Sequence, residues 1–111
     1  MRAFPSLKEK RRYLVFEVLS GEKHGFAEVK SALLESVSGF FGQHGLAKSK
    51  LRVLADKWEY ERQRGVIVAE RKSVESVKAA FCLAGRVGKS AAVIRCLGVS
   101  GILKKAVAKY Y

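Results

Sequence analysis

Few residue types in this sequence could carry out a reaction. Asp56 is the only aspartate, and the glutamates are scattered along the 111 residues. Metal-dependent phosphodiester cleavage needs several carboxylates converging on its ions, and Asp56 alone cannot supply them. Glu59 and Glu61 alternate on an extended segment and fall on one side, but no third ligand accompanies them. They read as partners for Arg62 and Arg64. Cys82 and Cys96 form no C-x-x-C pair, and His24 and His44 stand at no zinc-ligand spacing from them. The two cysteines read as buried thiols in a reducing cytosol.

Two glycine motifs look like ligand sites and are not. Gly85-Arg86-Val87-Gly88-Lys89-Ser90 ends like a phosphate-binding P-loop, but its first glycine position holds Leu83. The order is also reversed, running from helix to strand. Gly85-x-x-Gly88 resembles the backbone clamp of KH domains. A helix end followed by a turn calls for the same glycines.

The charge balance points to binding. The chain has 22 Lys+Arg against 10 Asp+Glu, a formal charge of +12. Such self-repulsion calls for a polyanionic partner, nucleic acid before anionic membrane. Hydrophobic residues make up 49% of the chain, so it folds rather than serving as a disordered basic tail. One domain over residues 1–111 is expected, with a basic arm at residues 1–12. No uncharged stretch is long enough to span a membrane, and the basic N-terminus leads into more charge rather than a signal-peptide core. A cytoplasmic protein is expected.

The hydrophobic pattern supplies the frame. Tyr13 to Leu19 reads as a strand with apolar residues on both faces, hence central and covered on two sides. Phe26, Val29, Leu33, Val37 and Phe40 recur at helical spacing over about four turns, closed by Gly42 and Gly45. Ala47, Ser49, Leu51 and Val53 alternate with Lys48, Lys50 and Arg52, predicting an edge strand with a wet basic face. Asp56 to Gln63 is a hairpin connection, and Gly65 to Ala69 a second two-sided strand. Ser73 is the expected N-cap of a helix whose buried stripe is Val74, Val77, Phe81 and Ala84. Ala91 to Leu97 is a fourth strand. Ser100 then caps a short helix with Ile102, Leu103, Ala106, Val107 and Tyr110 on its apolar side.

The order β-α-β-β-α-β-α predicts an α+β, ferredoxin-like α-β sandwich, with the last helix covering the sheet. Strands one and three, the two-sided ones, then lie in its middle. That cover removes the usual RNA-recognition surface. The third strand also holds Val66, Val68 and Arg71 where an RNA recognition motif carries aromatics.

Backbone contacts remain. Lys8, Lys10, Arg11 and Arg12 cluster before the first strand, and Arg95 projects from the fourth. Lys104, Lys105 and Lys109 decorate the last helix opposite its apolar side. The turn Leu97-Gly98-Val99-Ser100-Gly101 offers free amides at that helix start, where Ser100 sits. The candidate RNA-binding set is therefore Lys8, Lys10, Arg11, Arg12, Arg95, Ser100, Lys104 and Lys105.

Two stretches carry a family resemblance. Leu7-Lys8-Glu9-Lys10-Arg11-Arg12-Tyr13-Leu14-Val15-Phe16-Glu17 is one. The other is Arg95-Cys96-Leu97-Gly98-Val99-Ser100-Gly101 followed by a basic helix. Both resemble signatures of the archaeal ribonuclease P protein component 2 family, and the middle of the chain matches in element order. The resemblance implies a non-catalytic, RNA-binding subunit of the particle that removes 5′ leaders from precursor tRNA. It implies Mg2+ held by the RNA subunit, with no cofactor on this chain. It also implies ribonuclease P RNA, precursor tRNA and protein component 3 as partners, the last in a dimer of heterodimers. The residues alone also fit a ribosomal or general RNA-binding module, or, less well given the charge, a small enzyme or ligand sensor.

Overall fold

A strand that is apolar on both faces must be covered on both. The computed structural model describes residues 11–111, so Lys8 and Lys10 lie outside the described residues. Its strands are β1 (Arg11–Ser20), β2 (Arg52–Val53), β3 (Arg64–Glu70), β4 (Arg86–Val87) and β5 (Ser90–Ser100). Its helices are α1 (Phe26–Ser49), α2 (Val74–Cys82) and α3 (Leu103–Tyr110). The sheet order is β2-β3-β1-β5-β4, with antiparallel neighbours throughout. The two-sided strands β1 and β3 sit inside, as expected, in an α+β sandwich.

Side-chain alternation along β1 feeds two cores. Leu14, Phe16 and Val18 point to α1 and α2, joining Val29, Leu33, Val37, Ile67, Val77 and Phe81. Val15 points the other way and meets Val66 and Ala106, flanked by Leu103, Val107 and Tyr110. The expected cover by the last helix is therefore present. Ile102 is the exception: it is exposed, because the helix begins only at Leu103.

The stretch from Arg95 to Gly101 differs from the expected turn. β5 continues through Ser100, so residues 97–100 are strand. The register steps from Val15 opposite Gly98 to Phe16 opposite Cys96, leaving Leu97 as an extra residue in a bulge. Leu97 packs with the α3 cluster. A Cβ on Gly98 would lie 1.9 Å from Cζ of Tyr110. The glycine leaves its space to that ring, and α3 lies close against β5 as a result.

Three more expectations need correction. Residues 47–49 are helical: Gly42 breaks α1 at φ 74, ψ 174, and the chain resumes helix up to Ser49. The Ser49 hydroxyl donates to the Leu46 carbonyl at 2.6 Å, a helical back-bond. Strand pairing is left only to Arg52 and Val53, opposite Val68 and Ile67. Over so few residues, alternation and helical spacing place the same side chains inward. Ser73 makes no capping bond. A 3-10 turn, Arg71–Ser73, runs straight into α2, and the Val74 amide is already bonded to the Arg71 carbonyl. Cys82 is exposed and Cys96 half-buried, so only Cys96 approaches the expected setting. The Gly85 and Gly88 turn is present, both at positive φ, with the short strand β4 between them.

The Gly98–Tyr110 contact predicts a specific failure. Gly98→Ala should lower stability by about 1–3 kcal/mol through overpacking, read as a lower thermal midpoint. In a Tyr110→Ala background the same change should cost much less. Equal costs in both backgrounds would show that the ring does not occupy that space.

Candidate nucleic-acid interface

The sheet brings separate basic segments to one end. Arg11 is opposite Glu70, and Tyr13 is opposite both Val68 and Ser100. Arg52 pairs with Val68 on the other side. Arg71 and Lys72 follow directly on Glu70, while Lys104 and Lys105 follow on Ser100. Arg12 reaches the same corner: Nη1 lies 3.7 Å from the position a Cβ on Gly101 would take. Four of the expected residues, Arg11, Arg12, Lys104 and Lys105, are thus neighbours in the fold. Sequence reasoning missed Lys50, Arg52, Arg71 and Lys72. The basic alternation of residues 48–52 is the signal for Lys50 and Arg52; the Arg71-Lys72 pair directly after the third strand is the signal for the other two.

These cations are largely uncompensated. Lys50 is 3.9 Å from Glu70. Among the described residues, Arg11, Arg52, Arg71, Lys72, Lys104 and Lys105 form no ion pair. Glu22, Glu28, Glu59 and Glu61 lie toward the opposite end. There Lys23 bonds Glu61 at 2.7 Å, and Glu59 takes Arg62 at 3.4 Å as expected.

Ser100 does not cap α3. Its Oγ accepts from the Ile102 amide at 3.1 Å, a local turn one step before the helix. Ile102 is the N-cap and supplies no side-chain bond. The first amides of α3 therefore lack helical and side-chain acceptors, two residues later than the sequence suggested.

Arg95 lies elsewhere. Its Nη2 is 2.8 Å from Glu17 Oε1, and Arg64 Nε is 3.1 Å from Glu17 Oε2. Burial pushes the Glu17 carboxyl up, but the two guanidinium groups outweigh it and hold it below the ordinary value. Arg64, expected beside Glu59 or Glu61, spends its charge here and also donates to the Tyr110 carbonyl at 3.1 Å. Beside it, Arg62 donates to the Tyr111 backbone oxygen, and the Tyr111 hydroxyl donates to the Lys57 carbonyl at 2.5 Å. Burial pushes that hydroxyl up to about 12. The C-terminal end of α3 is thereby fastened at the far end of the sheet. Among the described residues, no three His, Cys, Asp or Glu side chains converge, and no helix is long and apolar enough to cross a membrane.

A carboxyl held below its unfolded value stabilises the fold above that value and loses the contribution as pH falls through it. Glu17→Gln should cost about 1–2 kcal/mol at neutral pH, discounted for the half-exposed Arg95. It should also flatten the acid side of the stability–pH curve. An unchanged acid limb would remove Glu17 as its cause.

The geometry can be set beside known proteins. The chain is 33% identical over 109 residues to ribonuclease P protein component 2 of Methanosarcina acetivorans, covering 98% of this chain and 80% of that one. It is 33% identical over 106 residues to the same component of Thermococcus gammatolerans, covering 96% and 87%. A chain in the cryo-EM structure of yeast ribonuclease MRP has the same fold at a TM-score of 0.64. That match spans 98% of this chain and 94% of the other, at 10% identity. The family model described as Rpp14/Pop5 matches residues 12–111, running from the basic corner of β1 to the fastened end of α3. The chain belongs to the Rpp14/Pop5 family.

Proposed function

We propose that this chain is an RNA-binding subunit of ribonuclease P that assists a catalytic RNA in removing 5′ leaders from precursor tRNA. The observation that carries the reading is the convergence of basic side chains from four segments on one end of the sheet, most of them without an ion pair among the described residues. Arg11 and Arg12, Lys50 and Arg52, Arg71 and Lys72, and Lys104 and Lys105 neutralise phosphates there. The uncapped amides before Ala106 add donors for a phosphate oxygen. Ser100 shapes the corner, and Arg95 is held by Glu17 and serves the sheet. Lys8 and Lys10 extend the basic sequence ahead of Arg11. The similarity to ribonuclease P protein component 2 and the family membership support the particle.

The chain supplies no catalytic group; its cations let a crowded RNA fold tolerate its own charge. Mg2+ is held by the RNA and supplies the hydrolytic chemistry. The other partners are precursor tRNA and protein component 3, the latter in a dimer of heterodimers. The setting is the cytoplasm, where the exposed Cys82 thiol stays reduced.

Two measurements test this reading. Lys104→Ala with Lys105→Ala should weaken RNA binding and flatten the log–log salt slope by roughly 0.7–0.9 per lysine, with the thermal midpoint retained. An unchanged slope removes those lysines from the contact surface. In reconstitution with the catalytic RNA and component 3, leader removal at low Mg2+ should rise only when this chain is added. Leader removal by the chain alone, or no stimulation, sinks the proposal.

A further inference from the structure

The break at Gly42 lies beside a feature that shares only Lys72 with the basic corner. Gly42 kinks α1, and a notch of about 270 Å3 opens between the helix around this kink and the start of α2. Its lining includes Phe41, Lys48, Lys72, Ser73 and Ser76. Phe41 is held there by Gly45, where an added Cβ would lie 2.5 Å from Phe41 Cβ. The ring is 44% exposed, unusual for a phenylalanine so closely framed.

The polar lining is unspent. Lys48 and Lys72 stand on opposing elements and form no ion pair among the described residues. The Ser73 hydroxyl makes no cap bond, and among the described residues Ser76 has no side-chain hydrogen bond. An open aromatic face beside two cations and two free hydroxyls matches the chemistry of a single-stranded nucleic acid. Phosphate meets the cations, and a base stacks on the ring. The volume admits a phosphate and its neighbouring sugar rather than a large enclosed ligand.

We infer that this notch seats one unpaired RNA nucleotide, with its phosphate between Lys48 and Lys72 and its base against Phe41. The inference rests on the reading that the chain binds RNA. Lys72 adjoins Arg71 of the basic corner and also lines the notch, so the two features are continuous. It gives a covered sheet a stacking position of its own, on the helical side.

The test uses the full chain with two probes, a labelled single-stranded oligoadenylate and an RNA duplex of equal length. Phe41→Leu fills the notch but removes the ring, and should weaken oligoadenylate binding about tenfold while leaving duplex binding unchanged. Lys48→Ala and Lys72→Ala should each flatten the oligoadenylate salt slope by roughly 0.7. Lys48 is exposed and lies outside the basic corner, so that variant reads the site even if Phe41→Leu proves unstable in a thermal melt. Equal loss on both probes, or unchanged oligoadenylate binding, overturns the stacking. If Lys48→Ala keeps the wild-type slope while the Lys104 and Lys105 variant flattens it, the notch fails and the general RNA reading stands. A wild-type chain that ignores both probes overturns both.

Discussion

Everything in this fold depends on covering the second face of a sheet whose central strands are apolar on both sides. Val15 and Val66 are fully buried, and α3 is what buries them. Full burial of one such side chain contributes about 1.5–3 kcal/mol, a large share of the stability available to a domain of this size. The cover has a functional cost. A sheet face under a helix cannot stack bases, so recognition has to move to the edges and ends. The same docking compensates for this: it starts α3 beside Ser100, which places Lys104 and Lys105 next to Arg12.

Electrostatics then divides the molecule. At the far end carboxylates and cations are matched, as in Lys23 with Glu61 and Glu17 between two arginines. At the near end Lys50 has Glu70, but among the described residues Arg11, Arg52, Arg71, Lys72, Lys104 and Lys105 form no ion pair. Unpaired like charges within a Debye length of about 8 Å repel one another at physiological salt, and that repulsion is relieved when phosphates arrive. A +12 chain with its charge spread evenly would attract RNA without orienting it. Concentrating the unpaired cations at one end fixes which part of the protein meets the polyanion.

Much of this was readable from residue patterns. The two-sided strands, the long first helix, the covering helix and four cations of the basic corner follow from periodicity and charge. What was not readable shares a cause. The alternation of residues 47–53 fits a strand locally, yet the inward contacts of Leu46 and Ser49 made a helix. Ser73 has the ideal type for a cap, but the preceding 3-10 turn holds it in helical conformation instead of the extended one a cap requires. Arg95 looked free because its partner, Glu17, is distant in sequence and adjacent only through the β1–β5 register. In each case a contact from another element overrode a valid local preference. Lys50, Arg52, Arg71 and Lys72 were missed for the complementary reason: proximity to Arg11 exists only once the sheet is assembled.

The stretch from Arg95 to Gly101 shows how motif and function are joined here. Read alone, its glycines and serine suggest a phosphate loop. In the fold Arg95 holds Glu17, Leu97 forms the bulge, Gly98 makes room for Tyr110, and Ser100 shapes the step into α3. Each of these sets where α3 lies and where it starts. On the RNA-binding reading proposed above, the motif acts at one remove: it sets where the lysine-bearing helix α3 starts beside β1. A chain keeping Lys104 and Lys105 but losing Gly98 would retain its charge and lose the aim. Affinity and orientation are separable here, and the motif residues govern orientation.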